Sequence, residues 1–168
     1  NYLISKIKQF FFSNGWEPLP YQVESWKAFL NGENGIIQVP TGCGKTYAAL
    51  MGPLSQIEDP KNNKSVQILL ITPLKALSRD LKNSIQLAAL HFNKEITVEI
   101  RNGDTTPYEK KKQLAKPPNI LITTPESLSL LLSNKESNNL FKELSSIIID
   151  EWHELMGSKR GNQCELSL

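Results

Sequence analysis

Residues 40–46, Pro-Thr-Gly-Cys-Gly-Lys-Thr, lie between a short β-branched run at 35–39 and a stretch of helical character, and no other feature restricts the folding of this chain as tightly. A strand that turns through glycines straight into a helix leaves the N–H groups of the turn and of the first helical residues without intrahelical partners. Those groups converge on one spot and make it attractive to an anion. Gly42 and Gly44 let the backbone come close to phosphate oxygens, Lys45 can extend to the β- and γ-phosphates, and the Thr46 hydroxyl suits magnesium. Thr41, Gly42, Cys43, Gly44, Lys45 and Thr46 are therefore the predicted site for a nucleotide phosphate and its metal ion. The general phosphate-loop pattern has a glycine where this chain has Val39, which puts the start of the loop at the end of the preceding strand.

Five runs rich in β-branched or apolar residues recur along the chain, at 35–39, 66–72, 96–101, 119–123 and 145–150. Between them stand stretches of helical periodicity, notably 74–92, with Leu74, Leu77, Leu81, Ile85 and Ala88 at steps of three or four. Two more helices are predicted ahead of the first strand, at 2–13 and 21–31, separated by Gly-Trp-Glu-Pro-Leu-Pro. Alternation of this kind predicts an α/β fold with a parallel sheet of at least five strands and helices on both faces. With 39% hydrophobic residues, the 168 residues suffice for one domain, 1–168, with its own core. A net charge of +2 neither announces nor excludes a polyanionic partner. The longest charge run, 109–112, reads as a solvated helix face. The two cysteines, Cys43 and Cys164, form no Cys-x-x-Cys pair, so neither zinc nor a disulfide framework is indicated and a reducing cytoplasm is expected. No run approaches the roughly eighteen apolar residues of a membrane span.

The next chemical signal is Asp150-Glu151-Trp152-His153, directly after the apolar run 147–149. Carboxylates at the carboxyl end of such a strand can divide two tasks: Asp150 can hold magnesium, and Glu151 can orient and deprotonate a water attacking the terminal phosphate. Trp152 reads as core packing. The loops 72–77, 101–105 and 123–127 each follow another predicted strand, so all share the edge at which open α/β sheets bind ligands. Pro73 and Pro125 stand where helices begin, leaving backbone N–H groups and Thr or Ser hydroxyls to meet phosphate oxygens. Upstream, Gln22 can match the donor and acceptor edge of adenine, with either Trp16 or Tyr21 as an aromatic surface.

With PTGCGKT, TPLKAL, GDT, TTPES and DEWH in this order, nearly the whole chain resembles the first RecA-like domain of superfamily 2 DExH-box helicases. DEWHELMGSKRGNQCEL, GWEPLPYQ and YAALMGPL resemble in particular the ligase-associated, large helicase-related (Lhr-type) group of DNA helicases. The resemblance implies a RecA-like P-loop fold and 3′-to-5′ translocation on single-stranded DNA driven by ATP and Mg2+, with a role in DNA repair. It makes Gln22 the adenine reader, Gly42 to Thr46 the phosphate and magnesium cradle, Asp150 and Glu151 the metal and water residues, and His153 the link between the ATP site and the strand. Pro73, Lys75, Gly103, Asp104, Thr124, Pro125 and Glu126 fall on or near the strand path, without the resemblance deciding which of them touch phosphate. Val39 departs from the small residue common in the family. The Ser-Ala-Thr linker motif and the second RecA-like domain with its arginine fingers are not in these residues, so the partner domain is expected elsewhere in a longer protein.

Sequence-independent phosphate contacts suit RNA as well as DNA, and a nucleotide-dependent clamp without motor activity would use the same loops. A metabolic kinase fits less well, because no acceptor pocket is evident. An arginine finger contributes about 10³ to 10⁵ in turnover. The 168 residues alone are thus expected to bind nucleotide weakly, hydrolyse it negligibly and unwind nothing, and strand separation by the purified chain would overturn this.

Overall fold

The computed structural model describes residues 2–40, 42–77 and 79–155, which divide into two compact units, Asn1–Glu58 and Asp59–Leu168. The first unit is helical. Helix α1 (Tyr2–Ser13) carries apolar residues at steps of three, and buries Ile4, Ile7, Phe10 and Phe11. Helix α2 (Pro20–Leu30) begins with a proline, whose missing N–H would have no intrahelical partner there. Helix α3 (Lys45–Ser55) follows the phosphate loop. α3 approaches α2 closely at Gly52, where a Cβ would stand 2.9 Å from the Phe29 ring. An aromatic cluster ties the three helices together: the Tyr47 ring lies 5.5 Å from Phe10 and 5.8 Å from Phe11, and the fully buried Trp26 donates its indole N–H to the Tyr47 carbonyl at 3.0 Å.

The second unit is built on a four-stranded parallel sheet in the order β2-β3-β1-β4, made of β1 (Ile68–Ile71), β2 (Val98–Arg101), β3 (Ile120–Thr123) and β4 (Ser146–Ile149). Each strand falls inside one of the apolar runs, and β1 and β3 are buried on both faces, as parallel strands covered by helices must be. Helix α4 (Arg79–Phe92) connects β1 to β2, α5 (Pro107–Ala115) connects β2 to β3, and α6 (Pro125–Leu132) connects β3 to β4. The first crossover runs one way along the sheet and the other two run the opposite way. Right-handed connections therefore place α4 on one face and α5 and α6 on the other. On the latter face Leu69, Ile71 and Leu121 pack with Leu128, Leu131 and Leu140, with Leu114 and Trp152 at the margin.

Two expectations change. Residues 35–39 pair with no strand, and Ile36 is 94% exposed, so the sheet has four strands among the described residues rather than five or more. A β-branched run expresses a preference for a sheet, but a strand exists only where a neighbour supplies the ladder. The helix predicted at 74–92 is also interrupted. A 3-10 turn (Leu74–Ala76) ends at Leu77, whose ψ of 90° is extended, and α4 starts afresh at Arg79. Leu74 is half exposed and does not continue the stripe of Ile85 and Ala88. Among the described residues no helix is long and apolar enough to cross a membrane.

At the amino end of the sheet, Asn119 is buried and fully used. Its carbonyl accepts from the Thr97 N–H and hydroxyl at 2.9 and 3.0 Å, and its amide donates to the Gln67 side chain at 2.9 Å and the Pro60 carbonyl at 3.3 Å. Removing the amide strands several buried groups, each costing about 1 to 3 kcal/mol. Asn119→Ala is expected to lower unfolding free energy by about 3 kcal/mol in urea titration.

Candidate functional site

In the first unit the phosphate loop is held from α2. Gly42 and Gly44 have φ of +83° and +80°, which glycine adopts without steric cost. Gly44, with ψ of 30°, is the N-cap of α3, and its carbonyl receives the Ala48 N–H at 3.1 Å. Two side chains from α2 close on this turn. The Tyr21 hydroxyl donates to the Cys43 carbonyl, and Gln22 Nε2 donates to the Gly44 carbonyl at 3.1 Å. Gln22 Oε1 in turn accepts from the Leu19 N–H at 2.9 Å. A Cβ on Gly44 would lie 2.6 Å from Gln22 Nε2, so a side chain here would push the Gln22 amide aside as well as strain the backbone. Burial pushes the Tyr21 phenol above its ordinary value, with Cys43 adding to the effect, which keeps its proton available to donate.

Gln22 is 3% exposed, far from the solvent-facing position typical of a glutamine at a helix start. Among the described residues, two of the four hydrogen-bonding capacities of its amide are used, which leaves one N–H and one lone pair, the pair that adenine recognition requires. Trp16 is 44% exposed and its ring lies 6.0 Å from Tyr47, so it belongs to the aromatic cluster with part of its surface open. Lys45 and Thr46 are the first two residues of α3 and are partly buried. Cys43 is a free thiol. Thr41 lies outside the described residues, as do Cys164 and the stretch beyond Leu155.

In the second unit the site residues are positioned by strand register. Ile71 stands opposite Thr123 and opposite Ile149, and Thr123 opposite Arg101, so all four strands end at one level. Asp150 continues β4 by one bond, from its N–H to the Ile71 carbonyl at 2.8 Å, and its carboxylate caps the Glu151 N–H at 2.9 Å. Glu151 has φ of +53°, a left-handed backbone unusual for a residue with a side chain. Glu151 lies 3.2 Å from His153 Nε2, the imidazole being largely exposed. Helix α7 (Trp152–Leu155) follows, with Trp152 against the core under α6, as predicted.

Along the same edge, Pro73 is buried just before the Leu74–Ala76 turn, and the Lys75 side chain lies outside the described residues. Gly103 and Asp104 are exposed on a loop that Asn102 organises: its side-chain oxygen accepts from the Asp104 and Thr105 N–H groups at 3.0 and 3.1 Å. Thr124 caps α6, accepting from the Ser127 N–H at 3.3 Å, with Pro125 and Glu126 as the first helical residues. The expectation that the Thr hydroxyls here stand free needs correcting. The Thr123 hydroxyl donates to the Arg101 carbonyl at 2.7 Å, and Thr124 is 97% buried in its capping role, because a helix start needs its own acceptor. The buried Thr72 hydroxyl has no hydrogen bond among the described residues. The loops after the neighbouring strands β1 and β3 leave toward opposite faces, the kind of switch point at which open α/β sheets take ligands.

Sequence reasoning missed Arg101 and Asn102. Arg101 is 92% buried, and its guanidinium donates to the Lys110 carbonyl at 3.1 Å and to Gln113 at 3.3 Å, pinning α5 to the end of β2; burial lowers its proton affinity. Asn102, Asp104, Thr105, Lys82 and Glu109 line a polar groove of about 370 Å³ beside it. The Asn-Gly-Asp-Thr string was a legible turn signal, since asparagine bonds the backbone two residues on. An arginine ending a strand carries no comparable signal.

Residues 19–168 match the family described as DEAD/DEAH box helicase. The chain belongs to that family. Its relatives include the Lhr helicase/probable uracil glycosylase of Mycolicibacterium smegmatis, 36% identical over 90% of this chain and 11% of that protein. They also include the ATP-dependent helicase Lhr-Core of Sulfolobus acidocaldarius, 41% identical over 77% of this chain and 16% of the relative. Among solved structures, Mycobacterium smegmatis helicase Lhr bound to ssDNA and AMP-PNP superposes with a TM-score of 0.83 and 32% identity, covering 96% of this chain and 22% of that one. The DUF1998 helicase MrfA bound to DNA and AMPPNP gives 0.75 and 27%, over 89% and 21%. The likeness establishes an α/β RecA-like fold, and this helicase chain spans only about a tenth to a fifth of the length of the curated relatives.

Gly44→Ala would add a left-handed penalty of about 1 to 2 kcal/mol and displace Gln22 from the helicase loop. The variant is expected to unfold at a temperature several degrees lower, as a thermal melt would record.

Proposed function

We propose that residues 1–168 are the ATP-binding, first RecA-like domain of an ATP-dependent DNA helicase, a cytoplasmic motor that works with a second RecA-like domain in the full-length protein. The observation that carries this reading is the common level at which four parallel strands end. It sets the acidic pair and the loops 72–76, 102–105 and 124–126 along one edge, all within the residues that match the helicase family. Single-stranded DNA rather than RNA is supported by the DNA in the related Lhr and MrfA structures.

The residues fit ATP and Mg2+. Gly44 in its left-handed N-cap conformation turns the start of α3 into an anion seat, and Lys45 adds a fixed positive charge beside it. Magnesium commonly takes only one or two protein ligands and completes its shell with phosphate and water oxygens, and the Thr46 hydroxyl and the Asp150 carboxylate are each of the kind it takes. When bound, the ion would neutralise charge on the phosphates. Glu151 accepts the proton of the attacking water, and His153, already in contact with Glu151, transmits the state of the ATP site toward the strand. Gln22 reads adenine. Backbone N–H groups of the 73–75 and 124–126 segments, with Gly103 and Asp104, track the strand's phosphates, a grip that does not depend on sequence.

In the full-length protein, Glu151→Gln is expected to lower DNA-stimulated turnover by about 10² to 10⁴ while ATP affinity stays within about threefold. Stopped turnover assays and calorimetric ATP titration measure the two quantities. A wild-type protein whose hydrolysis ignores single-stranded DNA would sink the motor reading, and one stimulated by RNA alone would move the substrate to RNA. Unwinding of duplexes with a 3′ but not a 5′ tail is the expected polarity.

A further inference from the structure

The contact between α2 and the phosphate loop goes beyond adenine recognition. Gly44 has φ of +80° and ψ of 30°, a left-handed helical conformation in which the peptides on its two sides run nearly parallel. Both carbonyls of that pair, Cys43 and Gly44, are held by side chains from α2: the first by the Tyr21 hydroxyl, the second by Gln22 Nε2 at 3.1 Å. In a planar trans peptide the N–H points opposite to the carbonyl. Anchoring the two carbonyls toward α2 therefore turns the N–H groups of Gly44 and Lys45 away from it together, as the donors of an anion nest must be.

We propose that Tyr21 is a positioning residue for the phosphate loop, its hydroxyl fixing the Cys43–Gly44 peptide so that the loop's N–H groups are preset for the β-phosphate of a nucleotide. Tyr21 reaches no phosphate itself. The Gly44 carbonyl has a second tie, since it also accepts from Ala48. Among the described bonds, the Cys43 carbonyl has Tyr21 alone. The Tyr21 bond is accordingly the more consequential of the two α2 contacts. Gly44 permits the arrangement because it leaves room for the Gln22 amide, and the raised proton affinity of the partly buried phenol keeps the donor in place across the physiological range.

The inference rests on the reading of this loop as the nucleotide site, and the test separates the two. In the full-length protein, Tyr21→Phe keeps the ring and removes only the hydroxyl. One neutral hydrogen bond corresponds to roughly fivefold to tenfold in affinity. The variant should bind ADP and ATP about fivefold to tenfold more weakly, with KM for ATP raised in step and kcat little changed. Affinity for AMP, which has no β-phosphate, and the preference for ATP over GTP should be unchanged. Equal loss for AMP and ADP would mean that the hydroxyl merely supports the fold, and an unchanged ADP affinity would mean that it does nothing for the loop; either result overturns the proposal. Tyr21→Trp, which retains an N–H donor on a larger ring, gives the same comparison if the phenylalanine variant is poorly folded: ADP weakened selectively over AMP supports the proposal, parallel loss refutes it. Failure of the wild-type protein to bind ADP at all would remove the nucleotide-site reading instead.

Discussion

Parallel pairing in strict register determines nearly everything that matters in the second unit. Once Leu70 lies opposite Ile122 and Ile148, the strand ends Ile71, Thr123 and Ile149 are level, with Arg101 level through Thr123. A slip of one residue would invert every side chain between the two faces. It would take Leu69 and Ile71 off the face beneath α6, where they now pack with Leu121, Leu128 and Leu131. Core packing thereby enforces the register, and the register delivers the polar loops to a common border. The acidic pair and the segments around Pro73, Asp104 and Pro125 are neighbours because the hydrophobic pattern several residues earlier leaves them no other place.

Much of this was legible in the chain. Helix α1 occupies the predicted residues, and β1 through β4 lie within four of the five predicted runs, because apolar periodicity reports burial directly. The edge that gathers the loops follows from alternation of strand and helix and needs no coordinates. What could not be read were partners. Residues 35–39 have the composition of the true strands yet lack a ladder, and Leu74 has helical spacing yet is cut off from α4 by the extended Leu77. Composition sets what a segment favours, and neighbours decide whether it is realised.

The site divides along the same line. Residue types identified the phosphate loop and the acidic pair, since few side chains can meet those demands. The hydrogen bonds that hold them in place escaped the sequence. Tyr21 was visible only as an aromatic surface, whereas its hydroxyl is what engages Cys43. Threonines at 123 and 124 looked available for phosphate, but the helix start and the neighbouring strand use them first. Local backbone needs compete for the same short polar side chains that ligands would use.

Glu151 combines a side chain with a backbone angle that suits glycine, at a cost of order 1 kcal/mol. Stability and function therefore pull apart at this one residue. A selection for heat resistance alone would drift toward glycine there, which relaxes the main chain and discards the carboxylate. Sturdier variants with a mute acidic motif are the natural by-product of engineering that rewards only persistence of the fold.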